Sequence, residues 1–326
     1  MERSEELLVE VRRGDYVEST HRVTACVVRA DGEVLRSFGD ADRTYPIRSL
    51  AKPFVAVELV RSGACEAYGL GAVELALASG SHDGSPDHVS AIRCFLKKID
   101  VPEDALLCGP AQEGSIIAGP PVRNNCSGKH AAVLALCRRH HFSIANYTSP
   151  DHPVQQTLLP KLLSRFNRDN NATPLAIDGC CMPIFGATLR EVASAYAAIG
   201  ASTDHADHRV LGAIASEPAF YGGWGHNTDT EVVSWSNGTV IGKIGAEGLH
   251  ADSLIQNGLG VAIKVQDGNS RAIPPVLAAL IATFDDSAIS SIHLNTMRRG
   301  AIVNSRGVST GVVVLRADDN VDKLQR

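Results

Sequence analysis

Ser49-Leu50-Ala51-Lys52 sets a hydroxyl and an amine three residues apart. On a helix such residues are neighbours, about 5 to 6 Å between Cβ atoms. A serine hydroxyl is a poor nucleophile at neutral pH. A lysine one turn on can serve as its base, provided desolvation or a second cation keeps that lysine neutral. The competing reading is a surface serine and lysine on an ordinary helix. Two further segments bear on the choice. Ser81-His82-Asp83 sits in a polar turn between helical stretches, where a second hydroxyl can project into a cleft. Val240-Ile241-Gly242-Lys243-Ile244-Gly245 puts one lysine between glycines on a strand, and glycines admit close approach of a ligand or another backbone.

Sulfur supplies the other chemistry. Cys126-Ser127-Gly128-Lys129-His130 and Asp178-Gly179-Cys180-Cys181-Met182-Pro183 are the two rich segments. Nothing here forms two C-x-x-C pairs, so a closed structural zinc site is excluded. What remains is either buried thiols or an open metal site, with two thiolates from distant segments and Lys129 or His130 a turn or less from Cys126. Other signatures fail. Gly128-Lys129 lacks the earlier glycine of a phosphate loop and is followed by His130 where a hydroxyl belongs. Gly307-Val308-Ser309-Thr310-Gly311 fits a nucleophile elbow in letters only, because it precedes an apolar strand and no histidine follows it. Asp204-His205-Ala206-Asp207-His208 reads as the capped start of a helix.

These residues need elements to carry them. Leu7 to Arg12, Val23 to Ala30 and Glu33 to Phe38 read as strands, the last two joined by Asp31-Gly32. A helix begins near Ser49, with Pro53 in its first turn and Gly63 at its end. Further helices start at Ser85-Pro86-Asp87, around Cys126 to Lys129, and at Ser149-Pro150-Asp151, and two more run over Ala187 to Ile199 and Asp207 to Pro218. Thr239 to Ile244, Gly260 to Val265 and Gly311 to Leu315 read as strands, and Ile273 to Phe284 as an apolar helix. Strands at both ends with helices between predict an α+β fold: one antiparallel sheet from residues 7–38 and 239–315, covered by helices, with a central helical region at 64–230. No linker divides the chain, so residues 1–326 read as a single domain with a helical insertion.

Composition narrows the classes of partner. With 326 residues, 44% hydrophobic and 21% charged, the chain is an ordinary globular protein with a large core. A net charge of -5 gives no footprint for nucleic acid or an anionic membrane. Met1 to Glu10 lacks the pattern of a signal peptide, and no apolar run approaches the roughly 18 residues of a membrane span. Eight dispersed cysteines are then expected to be reduced thiols in a cytoplasmic protein.

The order S-x-x-K on a helix, a serine in a loop, then K-x-G on a strand resembles that of penicillin-binding proteins and class A β-lactamases. Over nearly the whole chain the sequence is similar to the rhizobial-type L-asparaginases, the asparaginase II family, through Glu18 to Val23, Arg48 to Pro53, Ser81-His82, Asn125 to His130, Asp151-His152-Pro153, Asp178-Gly179-Cys180, Val240 to Ala246, Asp267-Gly268-Asn269 and Asn304 to Gly311. The resemblance implies a serine-β-lactamase-like fold and two Ser/Lys pairs, Ser49 with Lys52 and Ser81 with Lys243. It implies a zinc ion on Cys126, Lys129 and Cys180. Arg48, His82, Asp178 and His130 become candidates for contact with the substrate, the last two also for orienting the metal ligands.

The activity implied is hydrolysis of L-asparagine to L-aspartate and ammonia through a serine ester, by a homodimer with no nucleic-acid or membrane partner. Two departures stand out: Asp83-Gly84-Ser85 after the Ser-His pair, and the additional thiol of Cys181. The alternatives are a β-lactamase-like serine esterase or amidohydrolase of other specificity, and a non-catalytic amino-acid- or metal-binding protein.

Overall fold

A computed structural model describes residues 5–110, 119–169, 173–225 and 227–316. The first four residues of the stretch read for a leader lie outside them. The chain forms two compact units where the sequence suggested one domain with an insertion: residues 1–45, 188–201 and 235–326 in one, 46–187 and 202–234 in the other. The α+β class, with one antiparallel sheet drawn from both chain ends, is the observed one.

In the first unit the strand order is Arg299–Val303, Ser309–Leu315, Leu7–Arg13, Tyr16–Arg29, Leu259–Val265, Leu249–Leu254 and Val240–Gly245, with Val34–Phe38 also paired to Tyr16–Arg29. The runs Val23 to Val28 and Leu259 to Val265 are almost wholly buried, as a sheet covered on both faces requires. Helix Leu189–Gly200 packs on three of these strands. Its start is a capping box: Glu191 N–H donates to the Thr188 hydroxyl, and Thr188 N–H to the Glu191 carboxylate. It therefore belongs to the sheet unit, although it lies within the stretch expected to form the central helical region. Strand Leu249–Leu254 escapes sequence reading because His250, Asp252 and Ser253 break the apolar pattern, yet all six of its residues are buried.

The second unit is mainly helical, with strand Leu175–Ile177 paired antiparallel to Pro183–Thr188 on either side of the Asp178 turn. A 3₁₀ turn over Arg48–Ala51 runs into helix Lys52–Arg61, with Pro53 in the first turn. Helices Ala72–Ser79, Pro86–Lys98, Ser127–Arg139, Pro153–Arg165 and His205–Ser216 follow. Ser85 caps the second of these through His88 N–H. The helix expected to start at Ser149 begins only at Pro153, since His152 accepts from Val154 N–H and supplies the cap. Asp204 caps Ala206 and Asp207, and Asp207 is ion-paired with Arg165 at 2.7 Å, so this acidic and histidine cluster is structural. Phe54, Phe166 and Phe185 meet edge to face at 5.0 and 5.5 Å in the core.

Candidate active site

Two close backbone approaches assemble the polar centre of the helical unit. A Cβ on Gly80 would lie 2.0 Å from the Tyr221 carbonyl, and one on Gly128 would lie 2.1 Å from that of Leu77. Only glycine fits at either place. The first lets Ser81 N–H donate to Tyr221 O at 2.9 Å and so fixes the Ser81 loop. The second presses the start of helix Ser127–Arg139 against helix Ala72–Ser79.

Lys52 is buried at 1% exposure, and its Nζ donates to Gly80 O at 2.8 Å, Ser81 Oγ at 2.8 Å and Asn125 O at 3.1 Å. The lysine expected to pair with Ser49 is hydrogen-bonded to Ser81. The reason is local: Lys52 opens its helix, and acceptors from the Gly80 and Asn125 loops surround its ammonium, whereas no such bond joins it to Ser49. Ser49 is half-buried in the 3₁₀ turn, and its hydroxyl has no hydrogen-bond partner among the described residues. Arg48 just before it has φ +49°, an uncommon conformation for a residue with a side chain. The Arg48 guanidinium holds Asp178 Oδ1 at 2.7 Å. Burial works against the Asp178 carboxylate, but Lys129 and Arg48 outweigh it and keep its pKa below the usual range.

Asp178 leads into the sulfur cluster. It accepts from Gly179 N–H at 2.9 Å and lies 3.7 Å from Cys180 Sγ. Lys129 Nζ donates to Cys180 Sγ at 3.1 Å. Neighbouring Cys180 holds the Cys126 pKa well below its ordinary value against the effect of burial, with help from Lys52 and Lys129. Cys126, and then burial, raise that of Cys180. Burial also opposes the charge on Lys129, but Cys180, Cys126 and Asp178 raise its pKa on balance. Thus Cys126, Lys129 and Cys180 converge on one another, with Lys129 an ammonium on the Cys180 sulfur, and a metal bound there would have to displace the protons of Lys129 and Cys180. Cys181 is exposed, with φ +67°, and its turned backbone keeps it apart from Cys180.

Two expected substrate contacts are otherwise engaged. His82 is 1% exposed, with Nδ1 accepting from Gly84 N–H at 3.1 Å and Nε2 on Ser127 Oγ at 2.9 Å. His130 is fully buried, with Nδ1 on the Tyr147 hydroxyl at 2.6 Å. Both nitrogens of His82 are thus held by the protein, whereas the buried Nε2 of His130 has no hydrogen-bond partner among the described residues. Burial, then Lys129 and Lys52, lower the His130 pKa. Lys243 belongs to the sheet unit, paired across from Ala251, and its Nζ donates to Ile244 O at 2.9 Å. Sequence reading quoted Asn125 and Ser127 within a motif but gave them no role, and it missed Gly80 and Tyr147. Gly80 adjoins Ser81, which is the signal that could have found it; Tyr147 carries none.

The model of the L-asparaginase II family matches residues 9–315, and the chain belongs to that family. Membership makes it a hydrolase with a small-molecule substrate. No curated protein matches the chain. A crystal structure of a β-lactamase from Mycobacterium bovis is similar over 76% of this chain and 88% of its own, at 15% identity and a TM-score of 0.39, too low to carry an argument. Among the described residues no helix is long and apolar enough to cross a membrane.

Proposed function

We propose that the protein is an L-asparaginase that hydrolyses L-asparagine to L-aspartate and ammonia through a serine ester. The observation that supports this reading most is the 2.8 Å bond between Lys52 Nζ and Ser81 Oγ, because it joins a buried lysine to a second hydroxyl as a proton route. Ser49 is the nucleophile in this proposal. Its hydroxyl is uncommitted, it stands one turn from Lys52, and it directly follows Arg48 with its positive φ. Ser49 Oγ attacks the side-chain amide carbon and its proton passes to Lys52, which must first be in the neutral form and then keeps two of its present acceptors. As the C–N bond breaks, Ser81 gives its proton to the departing nitrogen and is reprotonated from Lys52. Ammonia leaves. Water then cleaves the β-aspartyl ester, losing its proton along the same route, and Ser49 is restored.

Cys126, Lys129 and Cys180 would hold a zinc ion, and when bound it supplies a Lewis-acidic grip on the amino or carboxylate group of the substrate. Asp178 steadies that cluster and Arg48 carries charge toward Ser49. Lys243 is the second lysine of the proposal, tested by substitution. A cytosolic homodimer completes it, and light scattering should give twice the 34.6 kDa chain mass. The deciding experiment is ammonia release from L-asparagine, L-glutamine and D-asparagine by purified protein. Preference for L-asparagine is expected; no ammonia from any of the three overturns the reading.

A further inference from the structure

His82 and Ser127 share a buried hydrogen bond to which the proposed chemistry gives no task. The proton positions follow from the partners. Gly84 N–H donates to His82 Nδ1, so that nitrogen accepts, and Nε2 carries the proton and donates to Ser127 Oγ at 2.9 Å. The Ser127 hydroxyl in turn donates to Val122 O at 3.0 Å. The His88 ring stacks on that of His82, with centroids 4.9 Å apart and planes 16° from parallel, and its own Nε2 is held on Ala219 O at 3.0 Å. The imidazole of His82 is thus fixed at both nitrogens and on one face. Burial, then His88 and Lys52, push its pKa down to about 3, so the ring remains a neutral donor through the working range.

Its place in the chain gives the bond a consequence. His82 directly follows Ser81, and Ser127 lies two residues after Asn125. Ser81 Oγ and Asn125 O both meet Lys52 Nζ. A bond from His82 to Ser127 therefore ties together the two loops between which Lys52 is held. We infer that His82 and Ser127 form a positioning latch, which keeps the Ser81 hydroxyl on Lys52 so that a proton reaches the departing nitrogen. Neither residue touches substrate. The inference rests on the proposed route through Ser49, Lys52 and Ser81.

Leaving groups distinguish this role from a structural one. An amide nitrogen must be protonated as it leaves, whereas 4-nitrophenolate leaves without a proton. Ser127→Ala and His82→Leu should lower kcat for L-asparagine by roughly 10- to 100-fold, the scale of a small misplacement of a reacting group, with KM nearly unchanged. The pre-steady-state burst of 4-nitrophenolate from the β-(4-nitrophenyl) ester of L-aspartate, which reports formation of the serine ester alone, should slow far less than single-turnover ammonia release from L-asparagine. His82→Gln, which keeps an N–H donor near the Nε2 position, should recover most of the rate, and the double variant should be no worse than the worse single. Thermal melts and circular dichroism identify any variant that fails to fold, and His82→Gln then carries the comparison with wild type.

Equal losses on amide and ester, additive losses, or wild-type rates in both single variants overturn the latch. If wild-type protein cleaves L-asparagine while the variants are unimpaired, the latch falls and the asparaginase reading stands. If it cleaves L-glutamine but not L-asparagine, the asparaginase reading falls and the latch is scored on glutamine. If neither amide is cleaved, both fall.

Discussion

Lys52 and Lys243 are both buried, at 1% and 0% exposure, one in each unit, and they stand on different kinds of element. Lys52 opens a helix and meets oxygens from residues 80, 81 and 125, far along the chain. Lys243 sits in mid-strand and donates to the carbonyl of the very next residue. A buried ammonium is tolerated where acceptors surround it. When the acceptors come from separate loops, the lysine also holds those loops together, so its loss touches chemistry and stability at once. The backbone ladder from Val240 to Gly245 against Leu249 to Leu254 holds that strand independently of the side chain, so the loss of Lys243 should leave the secondary structure intact.

The largest expected effect tests the Lys52 half of that contrast. Lys52→Met should abolish measurable ammonia release and also lower stability by about 1–3 kcal/mol, because buried carbonyls lose their donor. Ser49→Ala should abolish turnover with the melting temperature unchanged, and the double variant should be as inactive as either single. A folded, active Lys52→Met protein would leave no difference in kind between the two lysines. Lys243→Met is the matching experiment: a rate lowered by roughly 10² to 10⁴, as for acid–base groups, with circular dichroism unchanged. A wild-type rate would make Lys243 an ordinary strand lysine.

A smaller effect concerns the metal. Elemental analysis should find about one zinc per chain, the stoichiometry of a single mononuclear site, lost in Cys126→Ser and Cys180→Ser but kept in Cys181→Ser. Removing zinc by chelation should raise KM more than it lowers kcat, since the nucleophile does not depend on it. Zinc retained by Cys180→Ser and lost by Cys181→Ser would reverse the assignment.

The smallest effect is on stability against pH. His82 and His130 have pKa values depressed in the folded state, His82 to about 3. The unfolded chain takes up these protons near pH 6.5, whereas the folded one does not. Their contribution is therefore full above that pH and is lost as pH falls below it, for His82 down to about 3. Urea unfolding between pH 7.5 and 5 should show stability falling by up to about 1.4 kcal/mol per pH unit for each histidine, and His82→Gln should remove one share of the slope. An identical slope in that variant would mean His82 titrates normally.

Much of the frame is legible because its signals are local. Ser85-Pro86, Thr188 with Glu191, and Asp204 mark helix starts through bonds between near neighbours, and all three cap as their types suggest. Reading fails where burial overrides composition. Strand Leu249–Leu254 looks too polar, yet is fully buried. The helix expected to start at Ser149-Pro150-Asp151 begins at Pro153, because His152 supplies the cap.

For the candidate site, the sequence by itself determined which residue types are present and which are a turn apart: Ser49 before Lys52, and Cys126 before Lys129. It also determined that Cys180 and Cys181, being adjacent, could not readily share one face. The tertiary structure alone decided that Lys52 meets Ser81, since that bond spans 29 residues and depends on Gly80 admitting the Tyr221 carbonyl. It alone decided that His82 is a buried support, because burial is set by what packs against a loop. Spacing along a chain constrains neighbours within a turn or two, and beyond that only packing brings donors to their acceptors.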